Sequence, residues 1–179
     1  EFTVNNQAYG STVITARDEY DGATTVFKII PKIARVYPNY GPSFSEVTLE
    51  GTGYGTSNDT VKIDFGTTQT IATTTPNTNG TFSVTFTLTL QDIGAQVITA
   101  TGLVSSKPAT IDFTVAPDIY LISPLSGPVG SIITVEGSGY RSNAIQEECE
   151  WVQINFGTHQ TITSTQVLMG TDIIRGTFS

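Results

Sequence analysis

A single cysteine, Cys149, leaves this chain without any internal disulfide. Packing, glycans, ions or neighbouring chains must therefore hold it together. Histidine is as scarce: His159 stands alone in Gly157-Thr158-His159-Gln160 and reads as a solvent-facing strand residue. No G-x-S-x-G, zinc-ligand or phosphate-loop pattern accompanies it, so no oriented base and nucleophile are recognisable and no enzymatic role or cofactor is expected. Basic residues number only 8 against 16 acidic ones, for a formal charge of −8, and they are scattered. Phosphate tracking needs clustered Lys and Arg, so nucleic acid is excluded as a partner, and attraction to anionic lipid fails for the same reason. No apolar run is long enough to span a bilayer, so direct membrane insertion is not expected. No leader or lipidation motif is recognisable either. Finally, no segment sustains a 3.6-residue apolar period, so helices are not expected.

What replaces charge is threonine. Charged residues make up 13% of the chain while Thr occurs 31 times along its whole length. Thr packs its methyl and presents its hydroxyl on a half-buried pleated surface. The composition therefore points to an all-β protein with polar, uncharged outer faces.

The chain repeats itself. Pro38-Asn39-Tyr40-Gly41 returns as Pro124-Leu125-Ser126-Gly127, and Val47-Thr48-Leu49-Glu50-Gly51-Thr52-Gly53-Tyr54 as Ile133-Thr134-Val135-Glu136-Gly137-Ser138-Gly139-Tyr140, both 86 residues on. Val61 to Thr67 matches Val152 to Thr158 at an offset of 91, which puts a five-residue insertion at Gln146–Trp151. Gly80-Thr81-Phe82-Ser83 matches Gly176-Thr177-Phe178-Ser179 at 96. The beginning joins the same pattern at an offset of 84: Phe2 to Gln7 matches Phe86 to Gln91, and Gly10 with Val13 to Ala16 matches Gly94 with Val97 to Ala100. Offsets of 84 and 96 together make 180, one more than the 179 residues. The sequence is two periods less one residue, opened in the middle of a strand.

Within the middle period Phe82, Val84, Phe86 and Leu88 alternate with Thr and Ser, and Val47-Leu49, Val61-Ile63-Phe65 and Ile111-Phe113-Val115 give further short alternating runs. Turn signals such as Gly51-Thr52-Gly53, Thr75-Pro76-Asn77 and Asn79-Gly80 separate them. About seven short strands in such a period indicate a two-sheet sandwich of immunoglobulin type. The boundaries fall at Pro31 and Pro117, with almost no linker. Residues 1–30 read as the C-terminal strands of one repeat, 31–116 as a complete repeat, and 117–179 as the N-terminal part of another. A lone proline between strands restricts the hinge, which favours a stiff string of domains.

These residues resemble the IPT/TIG family of immunoglobulin-like domains. Its pattern runs from a strand into a P-x-x-G turn, then a strand, then a G-x-G-[FY] turn: here Ile33 to Gly41, Val47 to Leu49 and Gly51 to Tyr54, and again Ile119 to Gly127, Ile133 to Val135 and Gly137 to Tyr140. The V-x-[IV]-x-[FV]-G strand that follows is Val61 to Gly66 and Val152 to Gly157. The resemblance implies tandem β-sandwiches more securely than a function. Among its members, the Thr-rich acidic composition is most similar to the repeat arrays of prokaryotic cell-surface and filament proteins. That implies an extracellular, structural or adhesive role.

Several residues invite a role. Asp18, Glu19 and Asp21 crowd one loop before a glycine, as Ca²⁺ requires, or they are a polar inter-strand loop. Gln146 to Trp151 sets three acids beside the thiol and the sole Trp: a neighbour contact, a ligand lip, or an ordinary loop whose Trp caps the sandwich. Acidic neighbours raise a thiol's pKa, so Cys149 is not expected to be reactive. Tyr20, Tyr37, Tyr40, Tyr54, Tyr140 and Trp151 are the candidate contacts if the chain instead binds carbohydrate or a receptor.

The mid-strand opening makes Phe2, Val4 and Phe178 a candidate assembly junction, since Ser179 followed by Glu1 nearly restores Ser83-Val84-Thr85. Further copies of the same repeat, head to tail, are the expected partners. They are either covalently continuous or joined by donor-strand exchange. Asn58-Asp59-Thr60 and Asn79-Gly80-Thr81 are N-glycosylation sequons in turn sequence. Material from the native source should therefore lose mass on enzymatic deglycosylation, by an amount that Asn58→Gln and Asn79→Gln together abolish.

Overall fold

The computed structural model describes residues 1–140, 151–166 and 173–178. Every regular element among them is a strand, in several sheets, as a β-sandwich class requires. Contacts divide the chain into two compact units. One is Glu1–Pro38, Glu46–Thr87 and Val97–Asp112, and the other is Asn39–Ser45, Leu88–Gln96 and Phe113–Ser179.

The first unit opens with a hairpin of β1 (Gly10–Arg17) and β2 (Gly22–Ile29), paired antiparallel from Gly10↔Ile29 to Arg17↔Gly22. Strands β3 (Lys32–Tyr37), β5 (Glu46–Thr52) and β8 (Phe82–Thr87) form a three-stranded sheet in the order β3-β5-β8. A five-stranded sheet has the order β4-β10-β9-β6-β7, from β4 (Tyr40–Gly41), β6 (Val61–Phe65), β7 (Thr68–Thr74), β9 (Gly94–Gly102) and β10 (Pro108–Val115). The alternation expected from sequence is present. Val47, Leu49, Val61, Ile63, Phe65, Ile98 and Ala100 are fully buried, while Thr48, Glu50, Lys62 and Asp64 between them are not. Each large apolar side chain removed from water in this way contributes about 1.5–3 kcal/mol before entropy is counted.

The G-x-G-Y turn has a steric logic. Gly51 lies where a Cβ would overlap the Phe82 ring and crowd Tyr54. The two rings meet edge to face at 5.0 Å. Tyr54 is fully buried and its hydroxyl donates to the Ala100 carbonyl at 3.3 Å. Burial pushes its phenol well above the ordinary tyrosine range. Gly53, at φ +74°, brings its Cα against the Ile30 carbonyl, where any Cβ would overlap the oxygen. That carbonyl lies in the two-residue link, Ile30-Pro31, between β2 and β3.

In the second unit the segment 39–45 acts as a receiver. Asn39 and Gly41 carbonyls accept from the N–H groups of Thr114 (3.1 Å) and Ala116 (2.9 Å), and β4 pairs parallel with the end of β10. The Ser45 carbonyl accepts from Leu88 N–H at 2.9 Å, and the Ser43 hydroxyl from Gln91 N–H at 3.3 Å. Further along, β11 (Asp118–Ser123), β12 (Ile133–Ser138) and β15 (Ile173–Phe178) form a sheet in the order β11-β12-β15, and β13 (Trp151–Phe156) pairs with β14 (His159–Gln166).

These strands reproduce the middle period closely. The β11–β12 register, Asp118↔Ser138 to Ser123↔Thr134, is that of β3–β5 moved by 86, with the same irregularity, at Ile119/Leu121 as at Ile33/Arg35. The β13–β14 register repeats that of β6–β7, again with its irregularity, at Ile154/Phe156 as at Ile63/Phe65. Gly139, at φ +71°, sits against the Ala116 carbonyl as Gly53 does against Ile30, with a Cβ there 2.7 Å from the oxygen. One pairing departs. On β12, Phe178 lies opposite Ile133, whereas its sequence counterpart Phe82 lies opposite Gly51, the counterpart of Gly137.

A residue read from sequence only as part of a sequon closes one end of the first unit. Asp59 is buried, and its Oδ2 accepts from Gly55 N–H at 3.1 Å while Oδ1 accepts from Thr60 N–H at 2.8 Å and Val104 N–H at 2.9 Å. It ties the turn before β6 to the turn after β9. Replacing it leaves donors unsatisfied, at about 1–3 kcal/mol for each one that stays buried. Asp59→Ala should therefore lower the unfolding free energy by about 3 kcal/mol in urea titration, more than Asp64→Ala, whose half-buried carboxylate pairs with Lys62 at 3.1 Å and accepts from Thr70 N–H at 2.7 Å.

Candidate functional site

The site is built from side chains that the middle period buries and the terminal segments leave bare. In the N-terminal hairpin, β1 and β2 place Ile14, Phe27 and Ile29 on one face, with Phe27 exposed, Ile14 half-buried and Ile29 buried. Residues 1–7, which form no strand, pass alongside, and Phe2 and Val4 with these three line an open groove of about 280 Å³. The segment is tethered where Tyr9 N–H donates to the Tyr54 carbonyl at 2.7 Å, and Lys28 Nζ lies 6.0 Å from the Tyr9 ring.

Residue-by-residue comparison with the middle period is direct. Phe2 is 71% exposed and its counterpart Phe86 7%; Phe27 is 42% exposed and Phe113 fully buried. Val4 is exposed where Leu88 is buried, and Ala16 is exposed where Ala100 is buried. The C-terminal segment shows the reciprocal deficit. Phe156 is 60% exposed against 0% for Phe65, and Ile119 and Ile122 are exposed where Ile33 and Val36 are buried.

A further patch lies in the loop before β12. Leu125, Val129 and Ile132 are strongly exposed, and they stand where the middle period has Asn39, Ser43 and Glu46. In the middle period this is the receiver segment for residues 88–91 and 114–116. Their counterparts by sequence are residues 4–7 and 28–30. Alignment of the two copies contains the signal, three polar-to-apolar changes in one loop, but alternation within a single copy does not reveal it. Phe44 in the same segment holds φ +71°, a conformation that its counterpart Gly130 adopts, at +88°, without a side chain to strain.

One carboxylate of the 18–21 loop, that of Asp18, builds a turn. Asp18 Oδ1 accepts from Asp21 N–H at 2.6 Å and Tyr20 N–H at 2.9 Å, and Asp18 N–H donates to the Asp21 carbonyl at 2.9 Å. Glu19 and Asp21 are exposed beside it. Among the described residues no group of three or more His, Cys, Asp or Glu lies close enough to hold a metal ion. Asn58 and Asn79 are both exposed, the latter in a turn where its N–H donates to Asn77 Oδ1 at 3.0 Å. Of the aromatics that would serve a ligand site, Tyr20, Tyr37 and Tyr40 are exposed, while Tyr54 is sealed in the core and Tyr140 is half-buried. Residues 146–150, with Cys149, and the side chains of Trp151, His159 and Phe178 lie outside the described residues.

The Asp18 turn carries a pH dependence. N–H groups of Asp21, first, and of Tyr20 hold its carboxyl below the ordinary value of 3.8. A depressed carboxyl contributes stability that is present above its ordinary value and lost as pH falls through the lowered one. Amide exchange in the turn linking β1 and β2 should therefore accelerate, relative to its intrinsic rate, on acidification below about pH 4, and Asp18→Asn should remove that step. No protein-family model matches the chain, and no curated protein matches it.

Proposed function

We propose that this chain is a structural repeat unit of an extracellular fibre, stalk or surface-layer and adhesin array, assembled end to end from tandem IPT/TIG-like immunoglobulin-type sandwiches. Its two ends are complementary parts of one such sandwich. The observation that carries this reading is the reciprocal exposure at the ends of core positions that the middle period buries. The β1–β2 hairpin of one copy supplies what β9–β10 supply in the middle period, and the segment from β11 to β15 of another copy supplies the rest.

The energetics are adequate. Phe2, Val4, Phe27, Ile119, Ile122 and Phe156 are the side chains to be covered, for a gross gain on the order of 10 kcal/mol. Backbone pairing across the junction adds affinity in the manner of β-augmentation, and association costs about 4–15 kcal/mol in lost freedom. The same geometry serves a continuous polypeptide, in which the two halves are consecutive in one chain. The exposed Leu125, Val129 and Ile132 favour separate copies, because their covalently joined counterparts are polar. The function is mechanical: short proline links and glycine-packed joints connect successive sandwiches with little slack.

The purified 179-residue chain should form filaments visible by negative-stain microscopy and elute as polymer at micromolar concentration. Phe27→Asp should leave it monomeric while leaving the unfolding transition of the middle period in place. A wild-type chain that stays monomeric at several hundred micromolar, or a Phe27→Asp chain that polymerises equally well, would sink the proposal.

A further inference from the structure

The departure in the β12–β15 pairing points to a mechanism of assembly. In the middle period the strand paired with β5 carries the dipeptide Thr-Phe twice, at Thr81-Phe82 and Thr85-Phe86, four residues apart. Phe82 lies opposite Gly51 and Phe86 opposite Val47, and Thr85 meets Thr48 hydroxyl to hydroxyl at 2.9 Å. The strand therefore has two equivalent seats on its partner. The C-terminal segment has one Thr-Phe, Thr177-Phe178, which sequence assigns to the first seat, opposite Gly137. It occupies the second, with Phe178 opposite Ile133 and Thr177 opposite Thr134. Ile174 then takes the first seat, opposite Gly137, and Arg175 falls opposite Glu136. The strand has slid four residues. Four is even, so every residue keeps its face of the sheet and the slide costs no inversion of the apolar pattern.

A second observation marks this register as provisional. Ser138 is 1% exposed, and its Oγ is the one buried side-chain polar atom without a hydrogen-bond partner among the described residues. In the slid register its cross-strand partner is Ile173, a residue type with no side-chain donor or acceptor. Moving β15 back by four residues places Thr177 opposite Ser138, a hydroxyl against a hydroxyl on the same face of the sheet. The same movement empties the second seat, opposite Ile133. The residue whose sequence counterpart, Phe86, fills that seat is Phe2.

We infer that β15 is a place-holder. In a free copy it lies four residues out of register and covers the seat that Phe2 of a second copy takes. Docking of that copy's residues 1–4 drives β15 back by four, so the acceptor surface is self-protected until a partner arrives. This rests on the assembly reading above, and adds to it the contact that is exchanged.

Disulfide trapping in a Cys149→Ser background tests it on the whole chain. Thr134→Cys with Thr177→Cys bridges the slid register, and Ser138→Cys with Thr177→Cys bridges the returned one. The first pair should cross-link readily in monomer, and once oxidised should slow polymerisation at least tenfold, with full recovery on reduction. The second should cross-link in polymer and not in freshly diluted monomer. Polymerisation of the oxidised first variant at the reduced rate overturns the exchange and leaves the assembly reading standing. Failure of every reduced variant, and of the Cys149→Ser parent, to polymerise counts against the assembly reading itself and removes the exchange with it.

Discussion

An apolar strand face must be covered by a second one, and that requirement organises the whole molecule. In the middle period it is met. Val47, Leu49, Val61, Ile63, Phe65, Ile98 and Phe113 leave no surface to water, and the hydroxylated alternate positions face out. The segments β11–β12 and β13–β14 hold the same registers as their counterparts, yet there, as in the hairpin β1–β2, part of the apolar face stays open: Phe27, Ile119, Ile122 and Phe156 are exposed while Ile29, Val135 and Ile154 are buried. Register and local strand geometry are thus set within each hairpin, while cover depends on what lies opposite. Charged residues make up only 13% of the chain, and a single cysteine cannot close an internal disulfide to substitute for that cover.

Much of this was legible in the residue pattern. Period-2 alternation placed the strands of the middle period, since a half-buried pleat reads directly as apolar and Thr positions in turn. The offset alignment anticipated the short links, and β2–β3 and β10–β11 are each separated by two residues. The G-x-G-Y motif was visible as a turn, but its reason was not. Gly51 is required by the Phe82 ring, which lies far along the chain, and Gly53 by the carbonyl of the preceding link. Asp59 was hidden because an acid in an Asn-Asp-Thr turn looks solvated, and only the fold brings Val104 N–H to its carboxylate.

Elsewhere the pattern admitted more than one answer, for physical reasons. The Asp18 loop has the composition of a cation site, and the same composition builds a turn, in which Asp18 Oδ1 accepts from two N–H groups. Such a local bond competes with any external ligand, and spacing alone does not separate the two. The position of β15 was ambiguous in a deeper sense. Two Thr-Phe seats four residues apart are chemically alike, so the alignment of Thr177-Phe178 with Thr81-Phe82 is sound as sequence while the strand itself rests in the other seat.

The glycine at each joint has a consequence for how such a chain is inherited. Gly53 and Gly139 each close on a carbonyl of the link that precedes their own repeat, Ile30 and Ala116. Every period carries both halves of this contact, the link at its end and the glycine near its start. Duplication or loss of one whole period reproduces a proper joint automatically, whereas an insertion of even one residue in the link misplaces the carbonyl. Relatives that keep both glycines should therefore keep both links at two residues, however much the loops that take no part in the joint vary in length.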